Sequence, residues 1–134
     1  MGADSLRLDN IVNCYKKYLG DHLISMVLFG SHARGDSKAT SDYDLFIIAE
    51  ELPSSPFQRV LFIRKPLMGQ FEQRICIIAK TLEEVLKDFP PLLLDIGLDG
   101  IVLSDRNDFF KRLQERIKNI IDQAGLQRKQ AHKE

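Results

Sequence analysis

The chain has 134 residues, which is enough for one folded domain with a single core and too few for two comfortable ones. Nineteen Lys and Arg residues balance nineteen Asp and Glu residues, so the composition argues against a broadly basic surface that grips nucleic acid. The apolar runs are shorter than the roughly 18 residues of a membrane-spanning helix, and the two cysteines are too few for a disulfide framework. We therefore expect a cytoplasmic protein with no membrane segment.

The N-terminal part of the chain predicts one helix and two buried strands. Asp4 or Ser5 can cap a first helix, in which apolar residues recur at helical spacing until Gly20 ends it. The short apolar run 23–29 predicts a strand that is buried on both faces. A second strand is predicted over 42–50. Because it is apolar at both parities after its acidic start, we expect it to be central in the sheet.

The rest of the chain predicts further alternating helices and strands. The expected elements are a helix over 56–65, a strand over 70–80, a helix with a Thr81/Glu84 capping box over 81–89, a helix from 90 to Gly97 or Gly100, a strand over 101–103 and a helix over 109–125. A polar tail follows at 126–134. This order predicts an α/β (α+β) fold over a single domain, 1–134, with a mixed sheet of about four strands packed against helices.

Two acids stand at the head of the second predicted strand. Asp42 and Asp44 are two residues apart, so in a strand their side chains point to the same side, about 7 Å apart along it. Two carboxylates on one face repel each other unless a cation joins them. Mg²⁺ commonly takes one or two carboxylates together with substrate phosphates. The pair therefore predicts half of a magnesium site that awaits a phosphate ligand.

A Gly-Ser turn follows the first predicted strand. Gly30 allows close approach of the backbone, and the amides at a helix start favour an anion. Ser31 adds a hydroxyl group, and Arg34 adds a guanidinium suited to phosphate oxygens. Alone, either motif is weak, since an isolated Asp-x-Asp is more often a capped turn. Together they indicate metal-assisted phosphoryl or nucleotidyl transfer.

The string "FGSHARGDSKATSDYDLFII", residues 29–48, resembles the signature of minimal nucleotidyltransferases in the DNA polymerase β-like superfamily. The resemblance implies that Gly30 and Ser31 hold the phosphates of a nucleoside triphosphate, expected to be ATP, with Arg34 assisting. It implies that Asp42 and Asp44 are the catalytic, Mg²⁺-binding residues. It also implies transfer of a nucleoside monophosphate to a hydroxyl group of an unknown acceptor, and proteins are among the acceptors that it allows. The same resemblance implies an antitoxin-like role with a HEPN-type partner protein. A homodimer of this chain is the alternative assembly.

The family pattern places a third carboxylate on the next strand, where this chain has Cys76 in "RICII". A thiol is mostly protonated at neutral pH, and a thiolate is a poor Mg²⁺ ligand. Glu72 shares the parity of Cys76 but lies four residues earlier, roughly 13 Å away along a strand. The alternative is therefore a degenerate member that binds a nucleotide or a partner without catalysis.

Two aromatic residues near the motif have ordinary explanations. His32, inside the Gly-Ser turn, is expected to be an exposed residue without a catalytic role, and contact with a nucleotide is the alternative. Tyr43 lies between the two acids, so its side chain should point to the opposite face and into the core.

Overall fold

The computed structural model of the protein describes residues 3–37, 42–69, 74–87 and 92–124. Its helices and strands are α1 (Ala3–Leu19), β1 (Leu23–Phe29), α2 (Ser31–Arg34), β2 (Tyr43–Ala49), α3 (Pro56–Arg64), β3 (Ile75–Lys80), α4 (Leu82–Lys87), α5 (Leu92–Asp99), β4 (Ile101–Asp105) and α6 (Phe109–Ala124). Within these residues, no helix is both long and apolar enough to cross a membrane.

The four strands form one mixed sheet in the order β3-β2-β1-β4. The central strand β1 pairs antiparallel with both β2 and β4, whereas β2 pairs parallel with the edge strand β3. Most residues of β1 and β2 are buried, as their continuous apolar runs require. The prediction of a mixed four-stranded sheet with the second strand in its centre is confirmed.

Helices cover both faces of the sheet, and alternate residues of β2 divide between the two cores. Tyr43, Leu45 and Ile47 pack with residues of α1 and α3 in one core. Phe46 and Ile48 pack with residues of α4, α5 and α6 in the other. Because side chains alternate along a strand, Asp44 belongs to the second face of the sheet.

Several element ends differ from the sequence-based expectations. Helix α1 begins at Ala3, so Asp4 and Ser5 lie within it and do not cap it, and β3 begins at Ile75 and does not include Arg74. Of the two glycines proposed to end α5, Gly100 follows the helix, while Gly97 lies inside it. A Cβ built on Gly97 would lie 2.6 Å from Ile117 Cδ1, so this glycine allows α5 and α6 to pack closely. Strand β4 continues beyond the expected 101–103 to Asp105, because Asp105 pairs with Ser25 of β1 and accepts its hydroxyl hydrogen bond at 2.7 Å.

Arg59 ties α3 to the beginning of α4. Its guanidinium donates to both carboxylate oxygens of Glu84, at 2.7 and 3.2 Å, and to the carbonyl oxygens of Pro53 and Ala79. The predicted capping box is also present: Thr81 N donates to Glu84 Oε1 at 2.9 Å, and Glu84 N donates to Thr81 Oγ1 at 3.1 Å. Glu84 is therefore a structural residue at this end of the sheet.

We expect Glu84→Gln to destabilise the protein at neutral pH and to weaken its acid dependence. The hydrogen bond from Arg59 is the main reason that the pKa of Glu84 is lowered from 4.5 to about 2. A lowered pKa means that ionised Glu84 stabilises the fold above its ordinary pKa, and that this contribution is lost as the pH falls from 4.5 towards 2. Thermal unfolding across this range measures both effects. Glu83→Gln, an exposed change on the same helix, should alter neither; an acid dependence unchanged in Glu84→Gln contradicts the assignment.

Candidate functional site

The predicted site residues meet at one end of the sheet, where β1 ends and where β2 and β3 begin. In the antiparallel pairing of β1 with β2, Phe29 lies opposite Asp44. Gly30 follows Phe29 directly and precedes α2, so the Gly-Ser turn and the acidic strand share this edge. The expectation that the phosphate turn and the carboxylates come from neighbouring strands agrees with this pairing.

Gly30 packs directly against the carboxylate of Asp44. A Cβ built on Gly30 would lie 2.2 Å from Asp44 Oδ2, which is far inside van der Waals contact. The backbone of Gly30 has φ +76° and ψ −156°, a conformation that residues other than glycine rarely adopt. Both the space and the conformation therefore require glycine here.

The short helix α2 closes the turn after Gly30. The Gly30 carbonyl accepts hydrogen bonds from the N–H groups of Ala33 and Arg34, both at 3.1 Å. Ser31 is the first residue of this helix, and the first amides of a helix have no acceptor within the helix itself. Arg34 Nε lies 3.3 Å from Asp36 Oδ2, and its side chain is 43% exposed, so its guanidinium is accessible at the edge of the site.

Electrostatics couple the two carboxylates. Partial burial is the main cause that raises the pKa of Asp44, and the charge of Asp42 raises it further. His32 and Arg34 oppose the shift by attracting the ionised form. Because the pKa of Asp44 is raised, keeping its carboxylate ionised at neutral pH costs stability, and a bound cation would relieve that cost.

His32 and Tyr43 join α2 to β2 through a ring stack. Their ring centroids are 4.0 Å apart with an interplanar angle of 18°. Tyr43 is buried in the core on the opposite side of β2 from the carboxylates, as its parity predicts. His32 is half-buried, so the expectation that it is exposed is wrong, while its lack of a catalytic role stays a prediction. The stack fixes the Gly-Ser turn against the strand that carries the acids.

The parallel pairing of β2 with β3 places Cys76 beside Asp44, where the family pattern has its third acid. The Cys76 side chain is exposed. Glu72, the other acid considered for this role, lies outside the described residues. In the parts of the chain that the structure describes, no three His, Cys, Asp or Glu side chains are arranged to hold a metal ion together.

Arg74 was not anticipated from the sequence. Its Nε atom lies 3.6 Å from Asp42 Oδ1, and its carbonyl accepts a hydrogen bond from Tyr43 N at 3.0 Å. The sequence spacing could have predicted this contact, because Arg74 precedes Cys76 by two residues, just as Asp42 precedes Asp44. The two strands thus present a carboxylate pair next to a guanidinium and a thiol.

The donor chemistry fits one hard cation. Two carboxylates on one face provide the oxygen ligands that Mg²⁺ takes from proteins, and substrate phosphates and water complete its shell. Burial, followed by the charge of Asp42, raises the pKa of Asp44, and a cation beside the carboxylate would favour its ionised form. Asp42 and Asp44 are the residues that would hold Mg²⁺, whereas the Cys76 thiol does not suit it.

A separate cleft of about 860 Å³ lies at the opposite end of β2 and β3, and Glu50, Glu51, Arg59, Thr81, Glu83 and Lys87 are among its lining residues. It lies roughly 17 Å along the strands from Cys76. Arg59 is already engaged by Glu84, and the lining holds more acids than bases. This cleft is therefore poorly suited to a triphosphate.

Comparison with solved structures shows the fold. A toxin–antitoxin complex crystallised with AMP-PNP has a TM-score of 0.62 at 14% identity, covering 87% of this chain and 88% of that chain. A chain of the Shewanella oneidensis complex between a tri-AMPylated HEPN toxin and an MNT antitoxin has a TM-score of 0.54 at 16% identity, covering 91% and 98%.

Sequence comparison shows the family. A Methanocaldococcus jannaschii protein, named as a candidate protein adenylyltransferase, is 39% identical over 119 residues, which are 85% of this chain and 80% of the relative. The family model described as "Polymerase beta, Nucleotidyltransferase" matches residues 9–109, a span that includes every site residue discussed above. The chain belongs to this polymerase β-type nucleotidyltransferase family.

Proposed function

We propose that the chain is a Mg²⁺-dependent nucleotidyltransferase that moves AMP from ATP to a hydroxyl group of a partner protein. The observation that carries this proposal is the close approach of Gly30 to Asp44, which brings the phosphate turn and the carboxylates into one site. Family membership supports the class of reaction. The name of the M. jannaschii relative and the AMP-PNP complex support ATP as the nucleotide.

In this proposal each site residue has one role. Gly30 and Ser31 bind the phosphates through backbone and hydroxyl groups, and Arg34 neutralises a phosphate oxygen. Asp42 and Asp44 hold Mg²⁺, which supplies charge neutralisation around the triphosphate when bound. His32, stacked on Tyr43, keeps the turn in register with the acids.

The transfer forms one bond and breaks one bond. The acceptor hydroxyl oxygen bonds to the α-phosphorus, and the bond from that phosphorus to the oxygen bridging to the β-phosphorus breaks. Pyrophosphate leaves with the electron pair. The hydroxyl proton passes to solvent, because Cys76 stands beside Asp44 where the family pattern has its third carboxylate.

A HEPN-type protein is the proposed partner and acceptor. The S. oneidensis structure contains a tri-AMPylated HEPN toxin together with its MNT antitoxin, and the present chain shares that fold. An antitoxin-like role in which AMP is placed on the partner is consistent with both comparisons. A homodimer is the other proposed assembly.

Radiolabelled ATP tests the proposal directly. With Mg²⁺ and a HEPN-type protein from the same organism, label at the α-phosphate of ATP should appear on the partner, and pyrophosphate should be released in equal amount. Label at the γ-phosphate is the matched control and should not be transferred. Transfer of the γ-label, or the absence of any protein-bound label, contradicts the proposal.

A second candidate is a catalytically inactive member that binds nucleotide and partner. The specific observation in its favour is that the register partner of Asp44 on β3 is Cys76, where the family pattern has a carboxylate. This candidate predicts binding of a non-hydrolysable ATP analogue with Mg²⁺ but no transfer of α-label to any acceptor. If the wild type transfers no AMP, the appearance of transfer in the Cys76→Asp variant would show that the missing acid causes the inactivity.

A further inference from the structure

Cys76 of β3 and Arg74, just before that strand, each lie beside one carboxylate of the site. Cys76 is the register partner of Asp44. Arg74, two residues earlier, lies 3.6 Å from Asp42 through its Nε atom. Cys76 lies on the same side of the sheet as its register partner Asp44, and the contact with Asp42 places the Arg74 guanidinium beside the acids. Among the residues that the structure describes, this segment therefore faces the acids with a guanidinium and a thiol and with no carboxylate.

This arrangement bears on how many cations the site can hold. Two divalent cations about 3.5–4 Å apart act together in many phosphoryl-transfer sites, and they need several anionic ligands to offset their mutual repulsion. Within the described residues, no third acid completes the pair of aspartates. A second cation near Asp44 would instead meet the soft thiol of Cys76 and the nearby charge of Arg74.

We infer that the site binds one divalent cation with its nucleotide, and that Arg74, which directly precedes β3, supplies a second positive charge to the phosphates. The inference rests on the proposed function, because it concerns the same nucleotide site. The Arg74 side chain is 85% exposed, and exposed ion pairs of this kind are weak. When a cation engages Asp42, the guanidinium can therefore exchange the carboxylate for a phosphate oxygen.

Equilibrium dialysis against Mn²⁺ and α,β-methylene-ATP measures the number of cations directly. We expect one Mn²⁺ for each nucleotide bound to the wild-type chain. In Cys76→Asp, which adds a carboxylate beside Asp44, the ratio should rise to two, and in the matched control Cys76→Ser it should stay at one. Two Mn²⁺ ions per nucleotide in the wild type would overturn the inference, and a ratio of one in folded Cys76→Asp would remove the role given to Cys76.

Nucleotide affinity tests the role of Arg74. We expect Arg74→Gln to weaken binding of α,β-methylene-ATP with Mn²⁺ by up to about fivefold, the upper end of the range for one exposed charge interaction. Arg74→Lys, which keeps the charge, should remain within about twofold of wild type. Lys80→Gln removes a charge at the far end of β3, the strand that follows Arg74, and serves as the control. Wild-type affinity in Arg74→Gln would exclude this role.

These binding measurements separate the inference from the proposed transfer. A chain that binds one Mn²⁺ per nucleotide and transfers no AMP would support the single-cation site while contradicting the proposed reaction. A chain that transfers AMP with two Mn²⁺ ions per nucleotide would support the proposed reaction and contradict the single-cation site. Absence of nucleotide binding would overturn both.

Discussion

Asp44→Asn is expected to reduce AMP transfer by at least about 100-fold while raising the melting temperature of the free protein. Transfer falls because the amide cannot replace a carboxylate ligand of Mg²⁺. Stability rises because burial and the charge of Asp42 raise the pKa of Asp44. A carboxyl group with a raised folded-state pKa stabilises the protein in its protonated form, and that contribution is lost as the pH rises through the folded-state pKa. The neutral amide avoids this loss.

Thermal unfolding and transfer assays on the same preparations check both parts of this prediction. The gain in melting temperature should vanish below pH 3.8, the ordinary pKa of the side chain, where Asp44 itself is protonated. Addition of Mg²⁺ and α,β-methylene-ATP should stabilise wild type and fail to stabilise Asp44→Asn. Asp122→Asn, an exposed change on α6, is the control. A variant that transfers AMP normally would contradict the metal assignment.

Gly30→Ala is expected to abolish the site by displacing Asp44. The new Cβ would have to occupy a position 2.2 Å from Asp44 Oδ2, so the carboxylate or the turn must move. Movements of about 1 Å in a reacting site can cost about 100-fold in rate. The unusual backbone conformation adds a destabilisation of about 1–3 kcal/mol. Transfer assays and chemical denaturation measure the two effects.

Gly35→Ala provides the matched control for Gly30→Ala. Gly35 has φ +83°, yet a Cβ built there meets nothing within 4 Å. It should therefore cost about 1–2 kcal/mol of stability through backbone strain alone. Transfer by the folded Gly35→Ala protein should remain close to wild type. Equal loss of transfer in the two variants would show that strain in the turn, and not the contact with Asp44, causes the effect.

Much of the fold follows from local patterns in the sequence. The apolar runs that become β1 and β2 are buried from both sides, so the absence of alternation identified central strands. The Thr81/Glu84 capping box and the proline after Ser55 marked helix starts that the structure retains. The alignment of Cys76 with the missing acid was also predictable, because the family pattern gives the register of β3.

The remaining features depend on contacts between distant segments, which no local pattern encodes. The stack of His32 on Tyr43 requires α2 to fold back over the beginning of β2. Arg59 meets Glu84 only because α3 runs beside β3, which delivers α4 to the same edge. The length of β4 depends on the pairing of Asp105 with Ser25, 80 residues earlier. Polar residues at such positions resemble loop residues until their partners are known.

A crystal structure with Mn²⁺ and α,β-methylene-ATP is the most direct test of the nucleotide site. Anomalous scattering should locate a cation bound by Asp42 and Asp44, with the triphosphate against the backbone of Gly30 and Ser31. A triphosphate bound instead in the cleft near Arg59 and Lys87, or a cation remote from the two aspartates, would contradict the assignment.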